Sequence, residues 1–162
     1  MEYFNYGRNG NCIAYSSPRW GEAMYIRYKE MTASLDLVIV IGGHNDAFKL
    51  DSFGGIDNFK AKLEILCKGL VEKYPTAKIF FFTRCNCKNF KESDSEKVVD
   101  AMVEVCGNYS IPIFDCARKG GIYADNDTFR RIYFQGEKDT AHLNAKGHVR
   151  FLKVAENFIL QY

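Results

Sequence analysis

The sequence predicts an α/β domain built on a parallel sheet. Short, continuous apolar runs alternate along the 162 residues with longer segments of helical periodicity. Apolar runs without alternation are typical of strands that are covered on both faces, as parallel strands usually are. Alternating strands and helices favour parallel pairing through helical crossovers. The hydrophobic fraction of 47% is enough for a buried core, and no repeat or linker divides the chain, so we expect one domain over residues 1–162.

The first half of the chain predicts two strands and two helices. Tyr3–Tyr6 is a short strand candidate, because it ends in a loop rich in glycine and asparagine. Gly21–Met31 is predicted to be helical, because apolar and aromatic side chains recur at helical spacing. Asp36–Ile41 is a strand with five consecutive aliphatic residues. Ile56–Tyr74 is the clearest helix, because one apolar stripe runs along it and Pro75 stops it.

The second half continues the alternation. Lys78–Thr83 and Ile111–Asp115 are predicted strands, and Ser95–Cys106 between them is a predicted helix. Residues 117–138 are expected to be mostly loop. A final helix is predicted after Asn144, a favourable N-cap. Its predicted apolar stripe consists of Val149, Leu152, Ala155 and Ile159.

Composition excludes several classes of partner. The 22 basic and 20 acidic residues nearly balance and form no long run, so we expect neither nucleic acid nor a membrane surface as a partner. The longest apolar run, Leu37–Ile41, is far too short to span a bilayer. The first residues lack the features of a signal peptide, so the chain as written is expected in the cytoplasm.

Six cysteines occur without a C-x-x-C pair, so the sequence predicts neither a zinc site nor any other cofactor. Cys67 and Cys106 fall on apolar faces of predicted helices and are expected in the core. Cys85 and Cys87 fall in a loop, where they are either redox-sensitive or simply buried.

Asp139 and His142 form a D-x-x-H cluster ahead of the last helix. A carboxylate at this spacing can accept a hydrogen bond from the imidazole Nδ1–H, which fixes the tautomer and stabilises the imidazolium. The Nε2 atom is then free to take a proton from a hydroxyl group. The alternative is a surface loop in which the two residues have no joint role.

Gly43, Asn45 and Asp46 follow directly after a predicted buried strand. The glycine permits a sharp turn, the Asn45 amide is a donor suited to a developing oxyanion, and Asp46 is placed to brace the turn. The alternative is an ordinary turn, where Asn and Asp are common. Gly10 lies in the loop after the first strand candidate, where its backbone N–H is a second candidate donor. Because the carboxyl ends of parallel strands meet at one edge, we expect these groups to converge.

Three blocks, Asn5–Asn11, Asp36–Asp46 and Asp139–Gly147, together resemble the SGNH hydrolase family, also called GDSL esterases and acylhydrolases. The resemblance covers the whole chain in order and strand context. It implies a flavodoxin-like three-layer α/β/α sandwich and ester hydrolysis through an acyl-enzyme.

The resemblance also assigns roles to individual residues. Gly10 and Asn45 match the family's oxyanion donors, with Gly43 and Asp46 as supporting residues. His142 matches the general base and acid, and Asp139 the residue that orients it. The expected substrates are small-molecule esters, either simple acyl esters or acetylated carbohydrates.

The family's first block, a Gly-Asp-Ser turn after the first strand, has no counterpart in the 162 residues. Ser16, Ser17 and Cys12 lie near the glycine loop, but a triad nucleophile requires a rigid strand-to-helix turn, so none is expected to replace the serine. In the strand order 2-1-3-4-5 the missing strand would lie between Tyr3–Tyr6 and Asp36–Ile41. Its absence would expose an inner strand as an edge that promotes self-association.

Three explanations stay open at this point. The natural protein carries an upstream Gly-Asp-Ser strand, or the chain is an inactive truncation, or a partner chain supplies the strand. The sequence favours the first, because Gly10, Asn45, Asp139 and His142 are all present. A non-catalytic module that binds a ligand or a glycan on the esterase scaffold is the alternative function. A nucleotide-binding or receiver domain is disfavoured, because a phosphate-binding glycine loop and an acidic triplet are both missing.

Overall fold

The computed structural model describes residues 2–87 and 94–162, which form a three-stranded parallel sheet with helices on both faces. The strands are β1 (Leu37–Ile41), β2 (Lys78–Phe82) and β3 (Ile113–Phe114), in the order β1-β2-β3. Both strand pairs are parallel. The predicted α/β class and parallel sheet are therefore confirmed, and the three central apolar runs are its strands.

The helices of the described residues are α1 (Met24–Arg27), α2 (His44–Ala47), α3 (Gly55–Lys73), α4 (Asp94–Asn108), α5 (Cys116–Lys119), α6 (Asp127–Tyr133) and α7 (Ala145–Ile159). The predicted helix over 21–31 is shorter than expected, since α1 passes into a 3-10 turn over Tyr28–Glu30. The segment 117–138 was predicted to be mostly loop with one helical turn. More than half of it is loop, but it contains most of α5 and all of α6 and so has more helix than predicted. In the part of the chain described, no helix has the length and apolarity required to cross a membrane.

One face of the sheet is covered by α3 and α4. Leu63 and Leu66 of α3 and Val98 and Met102 of α4 are fully buried against Phe81 of β2. Both long helices lie within two residues of their predicted bounds. Cys67 and Cys106 are buried in the same core, as predicted.

The opposite face is covered by α7, through an aromatic cluster. Phe82 of β2 and Phe114 of β3 pack against Phe158 of α7, with ring centroids 5.5 and 5.1 Å apart. The predicted apolar stripe of α7 is half wrong, because Val149 and Leu152 are 59% and 52% exposed. The helix carries apolar residues on more than one side, and periodicity alone does not tell which side a sheet will cover.

Strand β1 is an edge with one uncovered face. Register pairs Ile39 with Phe80 and Ile41 with Phe82, so these isoleucines lie on the α7 side of the sheet. Helix α7 covers β2 and β3 but leaves Leu37, Ile39 and Ile41 39%, 44% and 60% exposed. The expectation that this strand is covered on both faces was wrong for the α7 side. Within the described residues β1 pairs only with β2, so its other edge is free.

Tyr3–Tyr6 is not a strand, contrary to prediction. The segment is held by side chains: the Tyr6 carbonyl accepts a hydrogen bond from Arg27 at 3.1 Å, and the Tyr6 hydroxyl accepts one from the Thr32 N–H at 2.9 Å. A strand requires a neighbour with which to form a ladder, and among the described elements none lies beside these residues.

Candidate functional site

The carboxyl end of β1 delivers three polar side chains through a tight turn. Gly42 and Gly43 lead from the strand into α2, whose first residues are His44, Asn45 and Asp46. Gly43 has a φ of +90°, and a Cβ atom there would lie 2.8 Å from the Met102 sulfur of α4. The position therefore requires glycine both for its left-handed backbone and for its close packing.

Asp46 joins this turn to the loop after Gly10. Its carboxylate, fully buried, accepts hydrogen bonds from the backbone N–H groups of Ile13 at 2.9 Å and Ala14 at 2.8 Å. Burial raises the pKa of Asp46 to about 6, although the backbone hydrogen bonds of Ala14, Ile13 and Asp46 itself oppose the rise. Asp46 thus fixes the turn to a distant loop, whereas the sequence had suggested a brace within the turn itself.

Asn45 lies against the same loop. Its Nδ2 donates to the Asn11 carbonyl at 3.1 Å. Asn11 is itself buried, with its Nδ2 donating to the Glu22 carbonyl at 2.7 Å and its Oδ1 accepting from Arg27 at 2.7 Å. An amide nitrogen has two hydrogens, so Asn45 keeps a second donor beyond this bond.

Gly10 adds a backbone donor beside Asn11. Its φ is +69°, and a Cβ atom there would lie 2.5 Å from the Trp20 indole, so glycine is required. Among residues 2–87 and 94–162 no acceptor takes the Gly10 N–H. The two candidate oxyanion donors, Gly10 and Asn45, are thus brought to one loop.

Asp139 and His142 form the hydrogen-bonded pair that their spacing suggests. The imidazole Nδ1 lies 3.0 Å from Asp139 Oδ2, and Asp139 Oδ1 accepts the backbone N–H groups of Ala141 and His142, both at 2.8 Å. Burial alone would raise the pKa of Asp139, but the backbone hydrogen bonds from His142 and Ala141, together with the imidazole, hold that pKa below its ordinary value. The carboxylate stays charged and holds the imidazole through Nδ1, and among the described residues no hydrogen bond engages Nε2.

The backbone around His142 is firmly held. The His142 carbonyl accepts from the Gln135 N–H at 2.9 Å, and Leu143 is buried next to it. Asn144 caps α7 by accepting the Gly147 N–H at 3.1 Å, as predicted, and its Nδ2 donates to the carbonyls of Ile132 and Phe134. The exposed imidazole therefore projects from an anchored turn.

His44 links α2 electrostatically to His142. Burial lowers the pKa of His44 to about 4, and the positive charges of Arg84 and, more weakly, His142 lower it further. His44 is consequently neutral near pH 7. The His44 ring packs on Phe48 at 5.2 Å between ring centroids, and the Arg84 guanidinium lies over the same Phe48 ring, so His44 and Arg84 are close neighbours at the carboxyl edge of the sheet.

The three candidate substitutes for the serine are otherwise engaged. Burial, reinforced by the Asp46 carboxylate, raises the pKa of the Cys12 thiol to about 12, so it is not a thiolate at neutral pH. Ser16 Oγ accepts the Ala23 N–H at 2.9 Å, and Ser17 Oγ accepts the Trp20 N–H at 3.1 Å.

Arg84 and Asn86 belong to this region and were missed by the sequence analysis. They follow β2 at its carboxyl end, where the run Phe80-Phe81-Phe82 gives way to polar residues. The guanidinium of Arg84 is buried and lies over the Phe48 ring, with Cζ 5.7 Å from the ring centroid. A charged residue directly after a buried strand is the only sequence signal that pointed to it. Cys85 is half-buried and Cys87 buried, with burial raising the pKa of the Cys85 thiol to about 11.

No protein-family model matches the chain, and no curated protein does. Solved structures do match. A protein from Lactobacillus plantarum is similar with a TM-score of 0.78 and 22% identity, over 94% of this chain and 78% of that one. The acetyl xylan esterase AlAXEase is similar with a TM-score of 0.63 and 16% identity, over 93% of this chain and 76% of that one. A protein from Bacteroides ovatus described as a GDSL-like lipase is similar with a TM-score of 0.62 and 15% identity, over 94% of this chain and 69% of that one.

These likenesses show that the chain has the α/β fold of the GDSL-like, or SGNH, hydrolases. The fold implied by the resemblance is therefore confirmed. At these identities the likeness concerns the fold alone, and the roles of Gly10, Asn45, Asp139 and His142 stay predictions.

Proposed function

We propose that this chain carries the acid–base and oxyanion half of an SGNH-type ester hydrolase. The observation that carries the proposal is the pairing of His142 Nδ1 with Asp139 at 3.0 Å, and the hydrogen bond from Asn45 to Asn11, the neighbour of Gly10, supports it. The expected substrates are small acyl esters or acetylated carbohydrates, and the similarity to an acetyl xylan esterase supports that class.

The chemistry follows from the positions of these groups. A serine hydroxyl attacks the ester carbonyl while His142 Nε2 takes its proton, and the resulting oxyanion accepts hydrogen bonds from the Gly10 N–H and Asn45 Nδ2. Collapse of the tetrahedral intermediate expels the alcohol, which receives the proton from His142. A water molecule, deprotonated by His142, then releases the acyl group as a carboxylic acid and regenerates the serine.

The nucleophile in this proposal comes from a strand and turn outside the 162 residues. The free edge of β1 is suited to receive such a strand, because its backbone groups on that side have no ladder partner in the described chain. Leu37, Ile39 and Ile41 would then be covered by the helix that follows the strand, next to α7.

The first prediction is that the 162 residues alone do not sustain hydrolysis of p-nitrophenyl acetate. Loss of a triad nucleophile lowers kcat by about 10⁶-fold in serine hydrolases. A protein extended at the N-terminus by its natural upstream codons, where these encode Gly-Asp-Ser, is expected to turn over the ester and to lose that activity on His142→Ala. The matched control is His148→Ala, an exposed histidine of α7. Turnover by the 162 residues that depends on His142 would contradict the proposal, as would an extended protein indifferent to that substitution.

A ligand- or glycan-binding module without catalysis is the second candidate. Cys12, Ser16 and Ser17 favour it, because the Cys12 thiol is protonated at neutral pH and both serine hydroxyls accept hydrogen bonds from backbone N–H groups of their own loop. This candidate predicts that acetylated xylo-oligosaccharides raise the melting temperature of the 162-residue chain while acetate release stays at the background rate.

A further inference from the structure

Unmet hydrogen-bonding capacity is concentrated directly after β2. In the described part of the chain, the buried side-chain nitrogen and oxygen atoms without a partner are Nε and Nη2 of Arg84 and Oδ1 of Asn86. Buried polar groups without partners are rare in folded proteins, and each calls for an explanation. Their concentration in one three-residue segment at the carboxyl edge of the sheet indicates a common cause.

Arg84 differs from the other buried arginines. Arg27 uses Nε, Nη1 and Nη2 in hydrogen bonds to Glu22, Tyr6 and Asn11. Arg130 likewise uses all three nitrogens, with Glu137, Ala124 and Asp127 as partners. Arg84 uses only Nη1, which donates to Ser95 Oγ at 2.5 Å. Every guanidinium nitrogen of Arg27 and Arg130 therefore has a partner, whereas Nε and Nη2 of Arg84 have none.

The open atoms have the geometry of a carboxylate receptor. Nε–H and one Nη2–H of a guanidinium point in parallel, so together they can donate to both oxygens of one carboxylate. Nη1 is fixed by Ser95, which leaves this side of the guanidinium without a partner. Such a bidentate pair is stronger and more specific than a contact to a neutral carbonyl.

The open guanidinium adjoins the proposed reaction centre. Arg84 lies over Phe48, the residue that ends α2, and α2 carries Asn45, a proposed oxyanion donor. Phe48 packs on His44 at 5.2 Å between ring centroids and lies over Arg84, yet it is 69% exposed. Phe48 is therefore the contact of the Arg84 guanidinium that borders solvent.

We propose that Arg84 recognises a carboxylate carried by the ester substrate, through its open Nε and Nη2 atoms. In this proposal Asn86 Oδ1, which also lacks a partner, accepts a hydrogen bond from a donor group of the same substrate. The proposal rests on the proposed ester-hydrolase function and narrows its substrates to acidic esters. The carboxylate lies either in the acyl group or in the alcohol group of the ester.

The test is a titration of the 162-residue chain with three small esters. Monomethyl succinate carries the carboxylate on the acyl side, acetoxyacetate carries it on the alcohol side, and dimethyl succinate is neutral. At least one of the two acids is expected to bind about tenfold or more tightly than the neutral ester. Its carboxylate can form a bidentate charged pair with Arg84, and the neutral ester has no carboxylate to do so. Binding is measured by calorimetry and by the NMR shift of the Arg84 Nε–H.

Three variants separate recognition from structure. Arg84→Met is expected to abolish the preference for the acid while the unfolding midpoint in urea stays equal or rises, since an unpaired buried charge is removed. Arg130→Met is expected to lower that midpoint, because its three partners would be left unpaired. Arg131→Met, an exposed arginine of α6, should leave both quantities unchanged.

Equal binding of all three esters by the wild type would overturn the proposal, and so would a preference for acids that survives Arg84→Met. A midpoint lowered as much by Arg84→Met as by Arg130→Met would assign Arg84 a structural role and also count against it. These titrations measure no turnover. Failure of His142-dependent hydrolysis therefore overturns the proposed function without removing carboxylate binding, and failure of the titrations leaves hydrolysis of neutral esters untouched.

Discussion

Asp46 connects the two segments that carry the candidate oxyanion donors, Gly10 and Asn45. Its two oxygens accept the Ile13 and Ala14 N–H groups, so the loop after Gly10 is fixed to α2, which carries Asn45. The hydrogen bond from Asn45 to the Asn11 carbonyl joins the same two segments a second time. The buried Asp46 carboxylate thus has a structural role in positioning the groups that the proposed reaction uses.

The second prediction concerns this link. Asp46→Asn replaces one accepting oxygen by an NH₂ group that faces a backbone N–H, so a buried donor loses its partner. We expect the free energy of unfolding at about pH 4, where burial keeps the Asp46 carboxyl of the folded wild type protonated, to fall by about 1–3 kcal/mol. Urea denaturation measures the loss, and Asp51→Asn, at an exposed position, is the control with no expected change. Equal midpoints for the two variants would show that the link contributes nothing.

The third prediction concerns pH. Burial raises the pKa of Asp46 from 3.8 to about 6, so the folded state holds this proton more tightly and stability falls as pH rises from about 4 to 6. Burial lowers the pKa of His44 from 6.5 to about 4, so the unfolded state binds this proton more readily and stability rises from about pH 4 to 6.5. The two effects oppose each other, each on the order of 3 kcal/mol.

Replacing His44 separates the two effects. The free energy of unfolding of the wild type minus that of His44→Gln is expected to increase steadily between about pH 4 and 6.5, because only the wild type carries the histidine contribution. Urea denaturation at several pH values across this window measures the difference. A difference that stays constant with pH would mean that His44 titrates alike in the folded and unfolded chains.

At the scale of elements, β1 is the least protected strand of the sheet. It offers a free backbone edge together with three exposed aliphatic side chains on the α7 side. Flat apolar edges of this kind pair readily with other chains. We therefore expect the 162-residue chain to self-associate through β1.

The fourth prediction tests that surface with a matched pair. Ile39 of β1 and Ile65 of α3 are both 44% exposed, so a lysine at either position removes a similar apolar area. Ile39→Lys is expected to shift the chain toward monomer in sedimentation velocity at about 100 μM, because an inserted charge opposes edge pairing. Ile65→Lys should leave the distribution unchanged. Equal effects of both substitutions would place the contact elsewhere.

At the scale of the molecule, the sequence predicted those features that local patterns determine. The apolar run of β1 and the stripe of α3 are such patterns, and both elements lie within one residue of the predicted bounds. Tyr3–Tyr6 was wrongly predicted because a strand depends on a distant neighbour. The prediction of which side of α7 is buried was half wrong, because Val149 and Leu152 are exposed and do not pack against the three-stranded sheet.

The candidate site divides in the same way. Asp139 and His142 are three residues apart, so their hydrogen bond could be anticipated from the sequence. The contacts of Asp46 with Ile13 and Ala14 span more than 30 positions and required the fold. Arg84 had no local signature beyond its place after β2, because an unmet hydrogen bond becomes visible only when all surrounding atoms are placed.

The close packing of Trp20 on Gly10 has one further consequence. Trp20 is the only tryptophan among the 162 residues, and its indole rests on the backbone that carries a proposed oxyanion donor. The Arg19 guanidinium lies 4.5 Å from its ring centroid, and the side chain is 39% exposed. Trp20 is therefore an intrinsic fluorescent probe of the glycine loop. Any ligand or added strand that changes the conformation of this loop should change the tryptophan emission, and no added label is required.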